Sequence, residues 1–234
     1  MANQQIVSQE QWLNVRKELL AKEKEFNHLR DELARERRQL PWVKVEKNYE
    51  FKSENGKESL SDLFEGKSQL IIYHFMFGPD WEEGCPSCSL LSDSIDGTRV
   101  HLNHRDINLV VVSRAKLDKL QAYKKRMGWD FKWVSSNGSD FNFDYNVSFN
   151  SDVPAESRHY NYVTKGFPED EGPGVSVFIK NENGEIFHTY SSYARGLDLL
   201  IGSYNYMDLT PKGRDEDELP HTMAWVRRHD QYDE

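Results

Sequence analysis

Polar and apolar positions divide the chain into segments of different period. Over residues 8–40, Trp12, Leu19, Phe26, Leu33 and Leu40 recur every seven positions, with Val15 and Leu29 widening the row. This predicts one long amphipathic helix. Ser8 and Gln11 are spaced as a capping box, Glu18–Lys22 and Asp31–Arg35 are favourable pairs four apart, and Pro41 ends the helix. Lys22 and Glu36 interrupt the second row that a coiled coil needs. The stripe is therefore expected to dock on its own domain, with a homodimer contact as the alternative.

Beyond the helix the period shortens. Residues 43–51 alternate polar and apolar ahead of the Asn55-Gly56 turn, which predicts a hairpin; Leu60, Leu63 and Phe64 then make a short helical turn. Leu70 to Phe77 is the most apolar run in the chain, bounded by Gly66 and Gly78-Pro79, and it predicts a buried central strand. A polar loop leads into Cys85-Pro86-Ser87-Cys88, where a helix is expected to open. Further buried strands are expected at 107–112 and 131–134, and a helix at 113–127 carries Leu117, Leu120, Tyr123 and Met127 on one face before Gly128. Strands at 175–179 and 186–190 flank Asn183-Gly184, and a helical segment follows at 197–206. Residues 137–172 are polar and turn-rich and are expected to wrap the surface; Asp215 to Glu218 reads as a solvated acidic cluster. The order of strand, CxxC helix, strand, helix, strand, hairpin and helix predicts an α/β fold with a thioredoxin-like central sheet flanked by helices. The expected divisions are 1–41 (helix), 42–207 (domain) and 208–234 (acidic tail packing on the domain).

Composition narrows the function classes. The 234 residues carry a net charge of −9, which repels nucleic acid and anionic membranes. A polar N-terminus and the lack of any apolar run of membrane-spanning length predict a cytoplasmic protein. A chain of this length can bury a core without staples, and 12% aromatic residues are too many for a disordered protein, so its 2 cysteines, three positions apart, are read as chemistry.

The thiolate is the reactive form of cysteine, and a free thiol has a pKa of about 8.5. At a helix N-terminus the unpaired backbone N–H groups stabilise that thiolate. Pro86 then occupies the first helical position, where its missing N–H costs nothing, and Cys88 lies one turn on. Cys85 is thus the expected nucleophile and Cys88 the resolving thiol. Zinc is the rival, because His101 and His104 follow at near finger spacing, although their gap is one residue short. No metal and no organic cofactor is expected. The Pro-x3-Thr-x2-Cys pattern of a peroxidatic cysteine is absent in both registers: Cys85 counts back to Glu82 and Gly78, and Cys88 to Cys85 and Trp81.

Several segments resemble one bacterial family of thioredoxin-like proteins, the domain of unknown function numbered eight-nine-nine. They include Leu40-Pro41-Trp42-Val43, Tyr73 through Trp81, Gly84 through Ser89, Met127-Gly128-Trp129, His188 through Ser191, Leu209 through Glu216 and Met223 through Arg227. The resemblance spans nearly the whole chain and implies a thioredoxin- or peroxiredoxin-like fold with the dithiol in its usual place. Against thioredoxins, the inner dipeptide is Pro86-Ser87 and Trp81 stands four positions before Cys85. Pro173, two residues before Val175, is the nearest match to the cis-proline that thioredoxins set beside the dithiol. Trp81, Asp80, Glu82 and Glu83 are expected to wall the site, where carboxylates would raise the thiol pKa; Tyr73, His74 and Tyr190 are candidate pocket residues.

The expected function is thiol–disulfide oxidoreduction on a disulfide-containing protein or a small thiol or disulfide. The alternatives are a non-catalytic binding or redox-sensing protein and, behind it, a zinc-stabilised module.

Overall fold

The computed structural model describes residues 4–232. Residues up to Pro41 form one compact unit and Trp42 onward another. The first unit is α1 (Gln9–Arg38), opened by the capping box: Ser8 Oγ accepts from Gln11 N at 3.3 Å, and Gln11 Oε1 accepts from Ser8 N at 3.0 Å.

The second unit begins with β1 (Val43–Lys44), β2 (Glu50–Ser53), β3 (Gly56–Ser59) and β4 (Gln69–His74). It continues through α2 (Pro86–Ser92), α3 (Ile95–His104), β5 (Ile107–Ser113), α4 (Leu117–Arg126), β6 (Trp133–Ser135) and α5 (Phe141–Asp144). It closes with β7 (His159–Tyr160), β8 (Val163–Thr164), β9 (Gly174–Lys180), β10 (Ile186–Tyr193), a 3-10 turn at Ala194–Leu200 and α6 (Gly202–Met207). The main sheet has the order β1-β10-β9-β4-β5-β6-β2-β3. Parallel β4–β5 and β5–β6 pairs lie beside the antiparallel β4–β9–β10 hairpin edge. This is the thioredoxin-like arrangement, with the hairpin strands β9 and β10 on one side of β4 and the crossover strand β5 on the other. Among the described residues no helix is long and apolar enough to cross a membrane.

Strand alternation decides which residue faces the site. Leu70 and Ile72 of β4 bury with Val110 and Val112 of β5 in one cluster, whereas Tyr73 and Val111 join the opposite one, together with Phe75, Cys88 and Trp133. Tyr73 therefore faces the dithiol and His74 faces away.

Several expected boundaries shift. The predicted strand at 43–51 splits: β1 pairs with β10 at the far edge, and only β2 turns through Asn55-Gly56 onto β3. Ser113 stays in the sheet, donating to Phe75 O at 2.7 Å, so the next helix starts only at Leu117. Residues 137–172 do not merely wrap the surface. Phe141 and Tyr145 fill the second cluster, and Val147, Phe149 and Tyr160 build a third with Tyr193.

Behind the sheet His74 is buried, its Nε2 2.9 Å from Ser176 Oγ in a chain that continues to Ser191 and His188. Burial pushes the His74 imidazole down to about 3. The folded state thus binds this proton less tightly than the unfolded chain does, so the stabilisation is complete above the ordinary histidine pKa and is lost as pH falls toward the depressed value. Between pH 7 and 5 this loss is worth about 1–2 kcal/mol, and Glu171, which burial raises to about 7, works in the opposite direction. His74→Gln should therefore gain in urea midpoint relative to the parent chain as pH falls from 7 to 5; a constant difference between the two chains contradicts the account.

Candidate active site

The loop after β4 turns back on itself and delivers Cys85 to the start of α2. Cys85 N donates to Met76 O at 3.1 Å, and Cys85 is the N-cap with extended backbone (φ −58°, ψ 131°), followed by Pro86 at the first helical position. Gly84 makes the approach sterically feasible. A Cβ there would stand 2.6 Å from Phe75 Cε1 and 3.1 Å from Tyr123 Cε1, and both rings are locked in the core. Gly84→Ala is expected to cost about 1–3 kcal/mol, read as a lower melting temperature; an unchanged melt contradicts this packing.

Both thiols are free; Cys85 is half-buried and Cys88 buried. The Cys88 thiol donates to Cys85, and the Cys88 and Ser87 backbone N–H groups point at the same sulfur. The thiol hydrogen bond is the largest influence. With those N–H groups and the Arg228 charge it outweighs burial and draws Cys85 down to about 7. Cys88 moves the opposite way. Burial raises it first, then its donation to Cys85 and the charge there, against donors from Tyr73 and Met76 N, the latter at 3.5 Å.

Arg228 reaches the site from the other end of the chain. Its Nη2 and Nε donate to Gly84 O at 2.7 and 3.2 Å, and its Nε donates also to Tyr123 Oη at 2.9 Å. Tyr123 Oη lies 2.9 Å from Ser89 Oγ, which donates to Cys85 O. The carboxylates expected to oppose the thiolate are instead neutralised: Glu83 is paired with Arg228 at 2.8 Å and with Arg126, and Glu82 with Lys119 at 3.5 Å.

A cavity of about 250 Å³ opens beside the dithiol. Cys85, Ser87, Cys88, Tyr73 and Pro173 line it; Trp81, Pro86, His74 and Tyr190 do not. Trp81 packs instead against the first core cluster. Pro173 takes the place before β9 at which a cis-proline was expected, yet among the described residues every peptide bond is trans. The Pro173 carbonyl accepts from Tyr160 Oη at 2.6 Å, which fixes the turn by a side-chain contact.

The far wall comes from residues whose role the sequence did not announce: the 3-10 turn at Ala194–Leu200 and the segment from Arg214 to Met223. Glu216, expected to be merely solvated, accepts at Oε1 from Tyr204 Oη, Met223 N and Trp225 Nε1 at 2.8, 2.9 and 2.7 Å. The apolar run Met223-Ala224-Trp225-Val226 was the available sign that this acidic segment packs. His101 and His104 sit in the last turn of α3. Among the described residues no three His, Cys, Asp or Glu side chains converge on a metal position.

The model of a family described as bacterial protein of unknown function (DUF899) matches residues 1–232. No curated protein matches. Among solved structures the chain is similar to peroxidoxin BcpB from Mycobacterium tuberculosis, at 10% identity and TM-score 0.47 over 70% of this chain and 95% of that one. It is also similar to a mutant of PrxQ from Xylella fastidiosa, at 10% identity and TM-score 0.44 over 70% and 94%. A third is the mitochondrial 2-cys peroxiredoxin from Plasmodium falciparum, at 15% identity and TM-score 0.41 over 71% and 92%.

Proposed function

The chain belongs to the bacterial DUF899 family, and we propose that it is a thiol–disulfide oxidoreductase with Cys85 as nucleophile and Cys88 as resolving thiol. The opposite displacement of the two thiols, one half-buried at the cavity and acidified, the other buried and held protonated, carries this reading.

The Cys85 thiolate attacks one sulfur of a substrate disulfide RS–SR′, forming Cys85–S–SR and expelling R′S⁻. That step discharges Cys85, so Cys88 loses both its hydrogen-bond acceptor and the neighbouring negative charge that held its proton. Tyr73 and the Met76 N–H remain as donors to the emerging Cys88 thiolate. Cys88 gives up its proton to the expelled R′S⁻, which leaves as R′SH, and then attacks Cys85 Sγ and expels RS⁻, leaving a Cys85–Cys88 disulfide. Two electrons have passed to the substrate, and an external dithiol returns them by the reverse exchange. The same thiols serve neither a metal nor an organic cofactor in this scheme.

The test is turnover. With excess dithiol reductant the reduced chain should reduce many equivalents of a model disulfide. Oxidation of one equivalent with no further turnover would sink the enzyme reading and favour a redox sensor.

A further inference from the structure

The cavity beside the dithiol has apolar walls and no spare charge. Met76, Leu91, Leu197, Ile201 and Tyr204 belong to the buried first cluster, and Met223 leans on it from the C-terminal segment. Four charged side chains reach the lining, and each is already engaged. Asp198 Oδ2 accepts from Arg195 Nε at 3.3 Å and from Arg214 Nη1 at 2.9 Å. Arg214 gives its other nitrogens to Asp208 at 2.8 Å and lies 3.8 Å over the Tyr204 ring. Glu216 is held by its three donors. An entering anion would find an uncommitted guanidinium nitrogen only on Arg195, whose side chain is 80% exposed to competing water, and would otherwise have to break one of these pairs, whereas a hydrocarbon group needs only to displace water from apolar walls.

Building on the thiol–disulfide reading, we infer that this cavity seats the hydrocarbon arm of a small uncharged disulfide, with the reacting sulfur at Cys85. The substrate class is then the low-molecular-weight dialkyl disulfide rather than a charged peptide disulfide. The exchange balances as above: Cys85–S⁻ and RS–SR give Cys85–S–SR and RS⁻, that RS⁻ takes the Cys88 proton and leaves as RSH, and Cys88 then attacks Cys85 Sγ and expels the second RS⁻. The arm R stays in the cavity until this second step.

The test is a chain-length series on Cys88→Ser, which stops at the first adduct. Rates of adduct formation are measured by mass spectrometry with dimethyl, diethyl, dipropyl and dibutyl disulfide and with glutathione disulfide, each divided by its rate with a small free thiol at the same pH. The normalised rate should climb by up to about fourfold for each methylene added to the arm, until the cavity is full. Glutathione disulfide should fall about tenfold or more below dipropyl disulfide. Leu197→Phe should abolish the length dependence while iodoacetamide labels Cys85 as before; Met223→Trp, at the partly exposed wall, gives the same test should the core variant fail to fold. A flat series, or glutathione disulfide reacting fastest, with fast iodoacetamide labelling retained, overturns the apolar-arm assignment and leaves the dithiol chemistry standing. Failure of Cys85 to react with any disulfide and to label overturns both.

Discussion

Cys88→Ser is expected to accumulate a mixed disulfide on Cys85 in one equivalent and then stop, whereas Cys85→Ser forms no adduct and loses all measurable turnover. The asymmetry follows from where the two sulfurs sit. Cys85 lines the cavity and receives hydrogen bonds from the Cys88 thiol and two backbone N–H groups. Cys88 is 2% exposed and is held protonated by burial and by its partner's charge. A serine at position 88 still offers a hydroxyl to Cys85, so the nucleophile stays activated while the resolving sulfur is gone. A serine at position 85 removes the thiolate that substrate meets first, and Cys88, although it touches the cavity, is almost wholly buried and kept protonated by that burial, so it offers no thiolate in its place. Intact-mass analysis after mixing with a model disulfide reads both results; an adduct on Cys88 in the Cys85→Ser chain would contradict the assignment of roles.

Removing the Arg228 charge has a signature that a merely structural residue would not give. Arg228→Gln keeps an N–H donor for Gly84 O while discharging the site, and Glu83 retains Arg126 as partner. The Cys85 pKa should then rise, by at most about one unit because that charge is the smallest of the named influences on it. Two effects of that rise oppose each other. At the full unit the thiolate becomes about tenfold scarcer in acid, but each thiolate is about threefold more nucleophilic, since reactivity follows basicity with a coefficient of roughly 0.4–0.5. The variant should therefore attack disulfides more slowly at pH 6, by up to about three- to fourfold, and faster at pH 9, by up to about threefold. The two pH–rate curves cross. A variant slower by the same factor at every pH would show that Arg228 only holds the loop in place.

The residues that sequence made legible are those whose signal is local. The dithiol announced itself because both cysteines fall in one motif after a buried run, and an apolar segment bounded by Gly66 and Gly78-Pro79 has little choice but to become a strand. The opening of α2 at Pro86 is written in the proline itself. Arg228 was hidden for the opposite reason. It lies 144 positions from Gly84, and nothing local distinguishes it from its neighbour Arg227 or marks its destination. The pairing of Glu82 and Glu83 was equally invisible, because Lys119, Arg126 and Arg228 reach them only once the helix α4 and the C-terminal segment are packed. Residues 137–172 misled because Phe141, Tyr145, Val147, Phe149 and Tyr160 are scattered among turn residues without a helical or strand period. Burial there is created by the fold and not by the pattern. Pro173 illustrates a finer limit: its place before β9 was readable, its peptide geometry was not.

The central claim is that Cys85 is acidified at the expense of Cys88, and pH-resolved alkylation tests it most directly. The reduced protein is pulsed with iodoacetamide from pH 5 to 10, and the two cysteines are quantified separately by peptide mass. The account predicts that Cys85 labels first, with a midpoint near pH 7, and that Cys88 lags at every pH up to 10. Equal, slow labelling of both cysteines with a midpoint above that of a free thiol would contradict it.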